Sequence, residues 1–296
     1  MKPIFEGCGT ALVTPFKKDG EIDLECFIKL LEFQIENGVD ALIIAGTTGE
    51  GSTLTVEEKL FLFDCAVKTV NKRVPVIAGT GSNSTSFALK LAKEAERLDI
   101  DAHLIVTPYY NKASQNGILE HYFTLADNLS KPVIVYNVPT RTGVNITPET
   151  YFELSKHPNI IAVKEADTNI SKIIKAMSLC GDNLHFYMGN DDMITVGASL
   201  GSKGVISVLS DIAPRFTAEM IKLALKGNLK EASDMQKKSI ELIGALFSDV
   251  NPIPVKTVMN HLGLCSDKMR LPLSSMAQNE KAKLIETIEK YREYIY

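Results

Sequence analysis

Lys164 directly follows the apolar run Ile160-Ile161-Ala162-Val163. A buried strand of that composition should carry the lysine stem into the interior of the fold. A buried lysine without a fixed anion loses its proton readily, because desolvation disfavours the ammonium. The neutral amine can attack a carbonyl and form a Schiff base. The bland alternative is an ion pair with Glu165 or Asp167, and position alone leaves both open. Glu165 is the next residue along and should face the opposite side of the strand, which weakens that alternative.

Other polar residues gather at the ends of similar apolar runs. Gly46-Thr47-Thr48-Gly49-Glu50 follows one of them. Its glycines allow backbone N–H groups to converge on an anion, and the threonine hydroxyls add donors. A tight turn before a helix would also explain those glycines. The loop nearly matches the phosphate-binding pattern, but Ser52 stands where that pattern needs lysine, so a nucleotide is rejected. Gly79-Thr80-Gly81 fails the dinucleotide pattern because Ser84 occupies the last glycine position. Tyr136 and Tyr110 are candidate acid–base groups, with Thr47 a suitable hydroxyl relay. Ordinary aromatic packing is the commoner fate of such tyrosines. Arg141 could receive a substrate carboxylate in a two-pronged grip, or simply pair at the surface.

Metal chemistry finds little support. The five histidines (His103, His121, His157, His185, His261) make no close ligand spacing. Asp191-Asp192 could hold magnesium, but an acidic pair at a helix start is the better reading.

The elements that must position these residues follow one rhythm. Eight short apolar runs rich in Val and Ile span 10–13, 41–45, 74–78, 102–106, 133–136, 160–163, 184–188 and 204–208. They lack polar alternation, which suits parallel strands buried on both faces. Amphipathic segments fill the gaps. Residues 24–36 place Leu24, Phe27, Ile28, Leu31 and Ile35 on one face, and Asn37-Gly38 stops them. Thr55-Val56-Glu57-Glu58 is a capping box. Further helices are expected over 84–98, 115–129, 147–155, 170–180, 193–200 and 213–225. The alternation predicts an α/β fold, a (β/α)8 TIM barrel, whose active site lies at the C-terminal ends of the strands. Beyond residue 226 the strand signal stops. The chain is therefore read as a catalytic barrel over 1–226 and a C-terminal helical extension over 227–296.

Composition sets the outer limits. The chain has 296 residues, 45% of them hydrophobic, and a net charge of −4. No basic field exists to hold nucleic acid. No apolar run approaches the ~20 residues of a membrane helix. The five cysteines are scattered and make no CxxC, so reduced thiols in the cytoplasm are expected rather than a disulfide framework.

With these residues in place, the chain resembles the dihydrodipicolinate synthase family of the pyruvate-dependent class I aldolase superfamily. The resemblance runs from Gly7 to about Leu273. It is carried by Ala11-Leu12-Val13-Thr14-Pro15-Phe16, Gly46-Thr47-Thr48-Gly49-Glu50, Thr107-Pro108-Tyr109-Tyr110-Asn111, Tyr136-Asn137-Val138-Pro139, Thr140-Arg141-Thr142-Gly143, Val163-Lys164-Glu165-Ala166 and Asn251-Pro252-Ile253-Pro254-Val255-Lys256. The resemblance implies a carbon–oxygen lyase that condenses pyruvate with L-aspartate 4-semialdehyde and closes a ring, in the diaminopimelate route to L-lysine. Lys164 would form the Schiff base with pyruvate, and no other cofactor would be needed. Tyr136, Thr47 and Tyr110 would relay protons, Tyr110 reaching in from a neighbouring subunit. Backbone donors around Thr47 and Thr48 would hold the pyruvate carboxylate, Arg141 would receive the second one, and Gly189 and Ile206 would line the pocket. The resemblance also implies a homotetramer built as a dimer of dimers.

Members of the family inhibited by lysine bind it at the dimer interface. Tyr109, Asn83 and Ser52 are compatible with that here. Phe87, Val56 and Lys59 are not, since they replace acidic or polar partners, so feedback by L-lysine is expected to be weak or absent. Sugar-acid aldolases of the same superfamily share Lys164, Tyr136 and a similar threonine loop, and Arg141 argues against them. A non-catalytic pyruvate-binding barrel and a structural assembly protein are the remaining alternatives. The former conflicts with the complete set of Lys164, Tyr136, Thr47 and Tyr110, and the latter predicts no reaction with pyruvate.

Overall fold

The computed structural model describes residues 2–295. Within them the apolar runs form eight strands: β1 (Gly7–Ala11), β2 (Ala41–Ile44), β3 (Val76–Gly79), β4 (Ala102–Val106), β5 (Val133–Asn137), β6 (Ile160–Glu165), β7 (His185–Met188) and β8 (Gly204–Ser207). Each pairs in parallel with the next, and β1 closes on β8 through registers such as Gly9 with Ile206. The sheet is thus a closed (β/α)8 barrel, as the alternation predicts.

Strand alternation divides the apolar side chains into two cores. Ala41, Ile43, Ile77, Leu104, Ile134, Ala162, Tyr187 and Ile206 fill the barrel interior. Leu42, Ile44, Val76, Ile105, Val135, Val163, Phe186 and Val205 face outward to the helices. The N-terminal end of the barrel is plugged by Phe5. Its ring stacks on Tyr187 with centroids 4.3 Å apart, and the Tyr187 hydroxyl donates to the Phe5 carbonyl at 2.8 Å.

The first strand departs from expectation. Residues 10–13 are the apolar run, yet pairing begins at Gly7 and ends at Ala11. Close packing demands the early glycines. A Cβ on Gly9 would lie 2.8 Å from the Phe5 ring, and one on Gly204 would lie 2.0 Å from the Gly7 carbonyl oxygen.

The connecting helices are α1 (Leu24–Glu36), α2 (Val56–Val70), α3 (Thr85–Glu96), α4 (Gln115–Asn128), α5 (Pro139–Thr142), α6 (Pro148–Leu154), α7 (Ile170–Cys180), α8 (Ile194–Ser199) and α9 (Pro214–Leu225). The capping box forms on α2: Thr55 Oγ1 accepts from the Glu58 N–H at 3.2 Å, and the Glu58 carboxylate accepts from the Thr55 N–H at 2.9 Å. Helix α5 was not expected. Proline at its first position and Gly143 at φ +69° beyond its end make one short turn from a segment that reads as loop. Three further helices follow: α10 (Leu229–Leu246), α11 (Ile253–His261) and α12 (Gln278–Lys290). Their apolar faces, including Leu242, Leu246, Val258 and Ile288, join the outer core of the barrel.

Candidate active site

Lys164 lies on the inward face of β6, beside Tyr136 of β5 and Tyr187 of β7 in the sheet register. It is 5% exposed. No carboxylate oxygen among the described residues lies within 4 Å of its amine. Glu165 points outward, as strand alternation requires. Its carboxylate takes the Tyr151 hydroxyl at 2.6 Å, the Asn137 amide at 2.8 Å and the Asp167 N–H at 2.8 Å. Asp167 in turn pairs with Lys172 at 2.9 Å. Both partners of the bland alternative are therefore engaged elsewhere. Burial pushes the Lys164 amine down to about 8, with the charge of Arg141 acting in the same direction and the Asp191 and Asp211 carboxylates opposing it. At pH 7 roughly a tenth of such an amine is neutral, a roughly 300-fold gain over an ordinary lysine.

Asp191 and Asp192 stand, as expected, in the first turn of a short helix, Asp191–Met193, and Asp191 has a further role. It is buried, and its carboxylate accepts the Val208 and Leu209 N–H groups at 3.0 and 2.9 Å. It thereby ties the end of β7 to the turn after β8. Asp211 likewise accepts from the Val13 N–H at 3.1 Å. Among the described residues no group of three or more His, Cys, Asp or Glu side chains is placed to hold a metal.

Tyr136 lies against Lys164, whose Nζ is 4.6 Å from the ring centroid. Burial raises the tyrosine's pKa, while the Arg141 charge and the Thr47 side chain pull it back. Its hydroxyl is therefore protonated at neutral pH and can donate. Tyr136, Thr47 and Arg141 share the wall of a cleft of about 400 Å³ at the C-terminal ends of the strands. Lys164, Thr48, Gly189 and Ile206 are not on that wall. Thr48 and Ile206 are buried, Ile206 within the barrel interior. Gly189 packs where β6 meets β7, and a Cβ there would lie 2.9 Å from that of Ala166.

The cleft owes its shape to the loop after β2. Ala45 turns through φ +53°, and its carbonyl crowds Gly51 and Gly79, where a Cβ would lie 2.2 and 2.4 Å away. Glu50 anchors the loop from behind through a buried ion pair with Lys256 of α11 at 2.7 Å. Lys256 also donates to the Thr14 and Lys268 carbonyls at 2.9 and 2.6 Å, and the second Glu50 oxygen accepts the Arg270 N–H at 3.0 Å. Asn251 joins two parts of the site. Its side-chain amide donates to Thr48 Oγ1 at 3.0 Å, and its carbonyl accepts from Arg141 Nη2 at 3.1 Å. Arg141 is exposed and has no ion pair among the described residues, so its surface-pair alternative fails.

Asn251, Lys256 and Glu50 are the participants that residue-level reading missed. Their motifs are visible, but pairing across about 200 residues leaves no local signal. Tyr110 is the residue the fold does not bring in. It is 86% exposed at φ +76° and lies outside the cleft of its own chain, whereas its neighbour Tyr109 lines it.

A closed (β/α)8 barrel with a lysine buried without an ion pair near the C-terminal end of a strand is the arrangement of a barrel enzyme with a candidate amine nucleophile. The sequence profile of the Dihydrodipicolinate synthetase family matches residues 4–291. The 4-hydroxy-tetrahydrodipicolinate synthase of Clostridium novyi is 44% identical over 288 residues, 97% of each chain. That of Lachnoclostridium phytofermentans is 48% identical over 283 residues, 95% of this chain and 96% of the relative. The crystal structure of dihydrodipicolinate synthase from Aquifex aeolicus superposes with a TM-score of 0.95 at 41% identity, covering 98% of this chain and 99% of the other. The chain belongs to the dihydrodipicolinate synthetase family and is an enzyme, a lyase.

Proposed function

We infer that this enzyme is a 4-hydroxy-tetrahydrodipicolinate synthase, condensing pyruvate with L-aspartate 4-semialdehyde in the diaminopimelate route to L-lysine. The observation that carries the mechanism is Lys164, buried without a counter-ion beside a protonated tyrosine.

The pyruvate carboxylate is received by backbone donors around Thr47 and Thr48, in the loop after β2. The Lys164 amine attacks the keto carbon. Tyr136 delivers the proton that lets water leave, and Thr47 passes protons onward to Tyr110 of the partner subunit. Loss of a methyl proton converts the Schiff base to an enamine, whose carbon attacks the aldehyde. Arg141 holds the second substrate's carboxylate. The substrate amine then adds to the former keto carbon, displaces Lys164 and closes the ring. Gly189 and Ile206 shape the inner pocket around the enamine. The sole covalent carrier is the Lys164 Schiff base, with no metal or separate cofactor.

The exposed Tyr110 supports assembly as a homo-oligomer, read here as a tetramer made of two dimers. Among the described residues no helix is long and apolar enough to cross a membrane, and the enzyme is read as cytoplasmic. We keep the division into a catalytic barrel over 1–226 and a helical extension over 227–296. Turnover of pyruvate with aspartate semialdehyde, followed beside sugar acids, tests the reading. Activity with the semialdehyde that is lost in Lys164→Ala is expected; cleavage of sugar acids alone would refute it.

A further inference from the structure

Strand β6 changes phase before it reaches Lys164. Val133 of β5 pairs with Ile160, but the next residue, Ile134, pairs with Ala162, so Ile161 is an extra residue opposite β5. Ile161 and Ala162 are consecutive, yet both belong to the inner core. Ile160 belongs to the outer core, against the helices. Strict alternation from Ile160 would turn Lys164 outward and Glu165 into the barrel. A bulge of one residue reverses that, and the reversal lasts only while the shifted register is held.

The register is held on the outer face of the sheet. Tyr136 pairs with Lys164 inside the barrel, and Asn137 pairs with Glu165 one step further on. Asn137 and Glu165 are both buried. The Asn137 amide donates to Glu165 Oε1 at 2.8 Å and to Asn145 Oδ1 at 2.9 Å, and Asn137 Oδ1 accepts the Ile146 N–H at 3.3 Å. That last bond closes the loop that carries α5 and Arg141. Glu165 is gripped from the helix side by the Tyr151 hydroxyl, and its own carbonyl accepts the Gly189 N–H at 2.7 Å. The backbone crosses between the same two residues, where the Asn137 carbonyl accepts the Ala166 N–H at 2.9 Å. One network behind the sheet thus fixes the chain next to Lys164, Tyr136 and Arg141.

We propose that Asn137 and Glu165 are positioning residues: their cross-strand bond holds the bulge at Ile161 in place and so keeps Lys164, rather than Glu165, aimed into the barrel beside Tyr136. The inference rests on the Schiff-base reading of Lys164 and assigns the placement of that amine to a pair outside the site.

The rate at which borohydride traps pyruvate on Lys164 of the full-length enzyme is the measure, with the thermal midpoint followed in parallel. Glu165→Ala should slow trapping at least tenfold, and Asn137→Ser should do the same should the alanine variant fail to fold. Glu165→Gln keeps an acceptor oxygen toward Asn137 and should stay within threefold of the parent. Val135→Ala truncates the same outer face and should lower the thermal midpoint while leaving trapping within twofold. Parental trapping in Glu165→Ala or Asn137→Ser, no rescue by glutamine, or equal slowing in Val135→Ala would each overturn the proposal with the Schiff base intact. No adduct on Lys164 of the parent enzyme would overturn the Schiff-base reading itself, and the proposal with it.

Discussion

Two positive charges govern the site, and their surroundings make them differ. Lys164 is enclosed, and burial lowers its amine to about 8. Schiff-base formation needs that amine neutral, so kcat/KM for pyruvate should rise with pH and level off above about 8. A flat profile from pH 6 to 9 would contradict this. Arg141 is exposed, permanently charged and tied to the Asn251 carbonyl at 3.1 Å. A charge-assisted contact contributes about 1.5–3 kcal/mol. Arg141→Gln should therefore raise KM for the semialdehyde roughly tenfold to a hundredfold while KM for pyruvate changes little. Both residues were legible in sequence, because each stands next to a strand or turn of unmistakable pattern. Their outer partners were not, because Asn251 meets Thr48 from 203 residues away in the chain.

The loop after β2 and helix α11 act together. A cradle made of glycines has little stiffness of its own, and the buried Glu50–Lys256 pair supplies it from outside. Removing one partner of such a pair leaves an uncompensated charge and costs about 3–5 kcal/mol. Lys256→Met should lower stability by that amount in urea unfolding, with Glu50→Gln/Lys256→Met recovering most of it. Additive losses in the double variant would show that the two side chains do not act as a pair. At this scale the strands and most helices could be read from apolar runs and caps. Strand β1 was misplaced because its glycines answer to Phe5 and β8 rather than to local pattern. Helix α5 escaped because four residues carry no periodicity.

On the scale of the whole molecule, the proposed proton relay draws on more than one chain. Tyr110 projects from a left-handed turn with most of its surface exposed, and nothing in the chain's own fold draws it toward Tyr136. Loss of one proton-relay group typically costs about a hundredfold. Tyr110→Phe should lower kcat by roughly that factor without changing the thermal midpoint, and mixing it with Lys164→Ala should restore activity in hybrid dimers. Absence of restoration would place Tyr110 outside the mechanism. The cleft also bears on regulation. Phe87 and Lys59 line it, whereas Val56 and Asn83 do not. An ammonium effector would meet an aromatic ring and a like charge, so millimolar L-lysine should leave initial rates unchanged. Half-inhibition below 1 mM would disprove that. A single sequence could not disclose which surfaces meet between copies, since an exposed tyrosine looks alike whether it faces water or a partner.

Borohydride reduction in the presence of pyruvate, followed by peptide mass mapping, tests the central role of Lys164 most directly. A reduced three-carbon adduct on the peptide carrying Lys164, and on no other lysine, is the predicted result. An unmodified Lys164, or an adduct on Lys59 or Lys256 instead, would contradict the account.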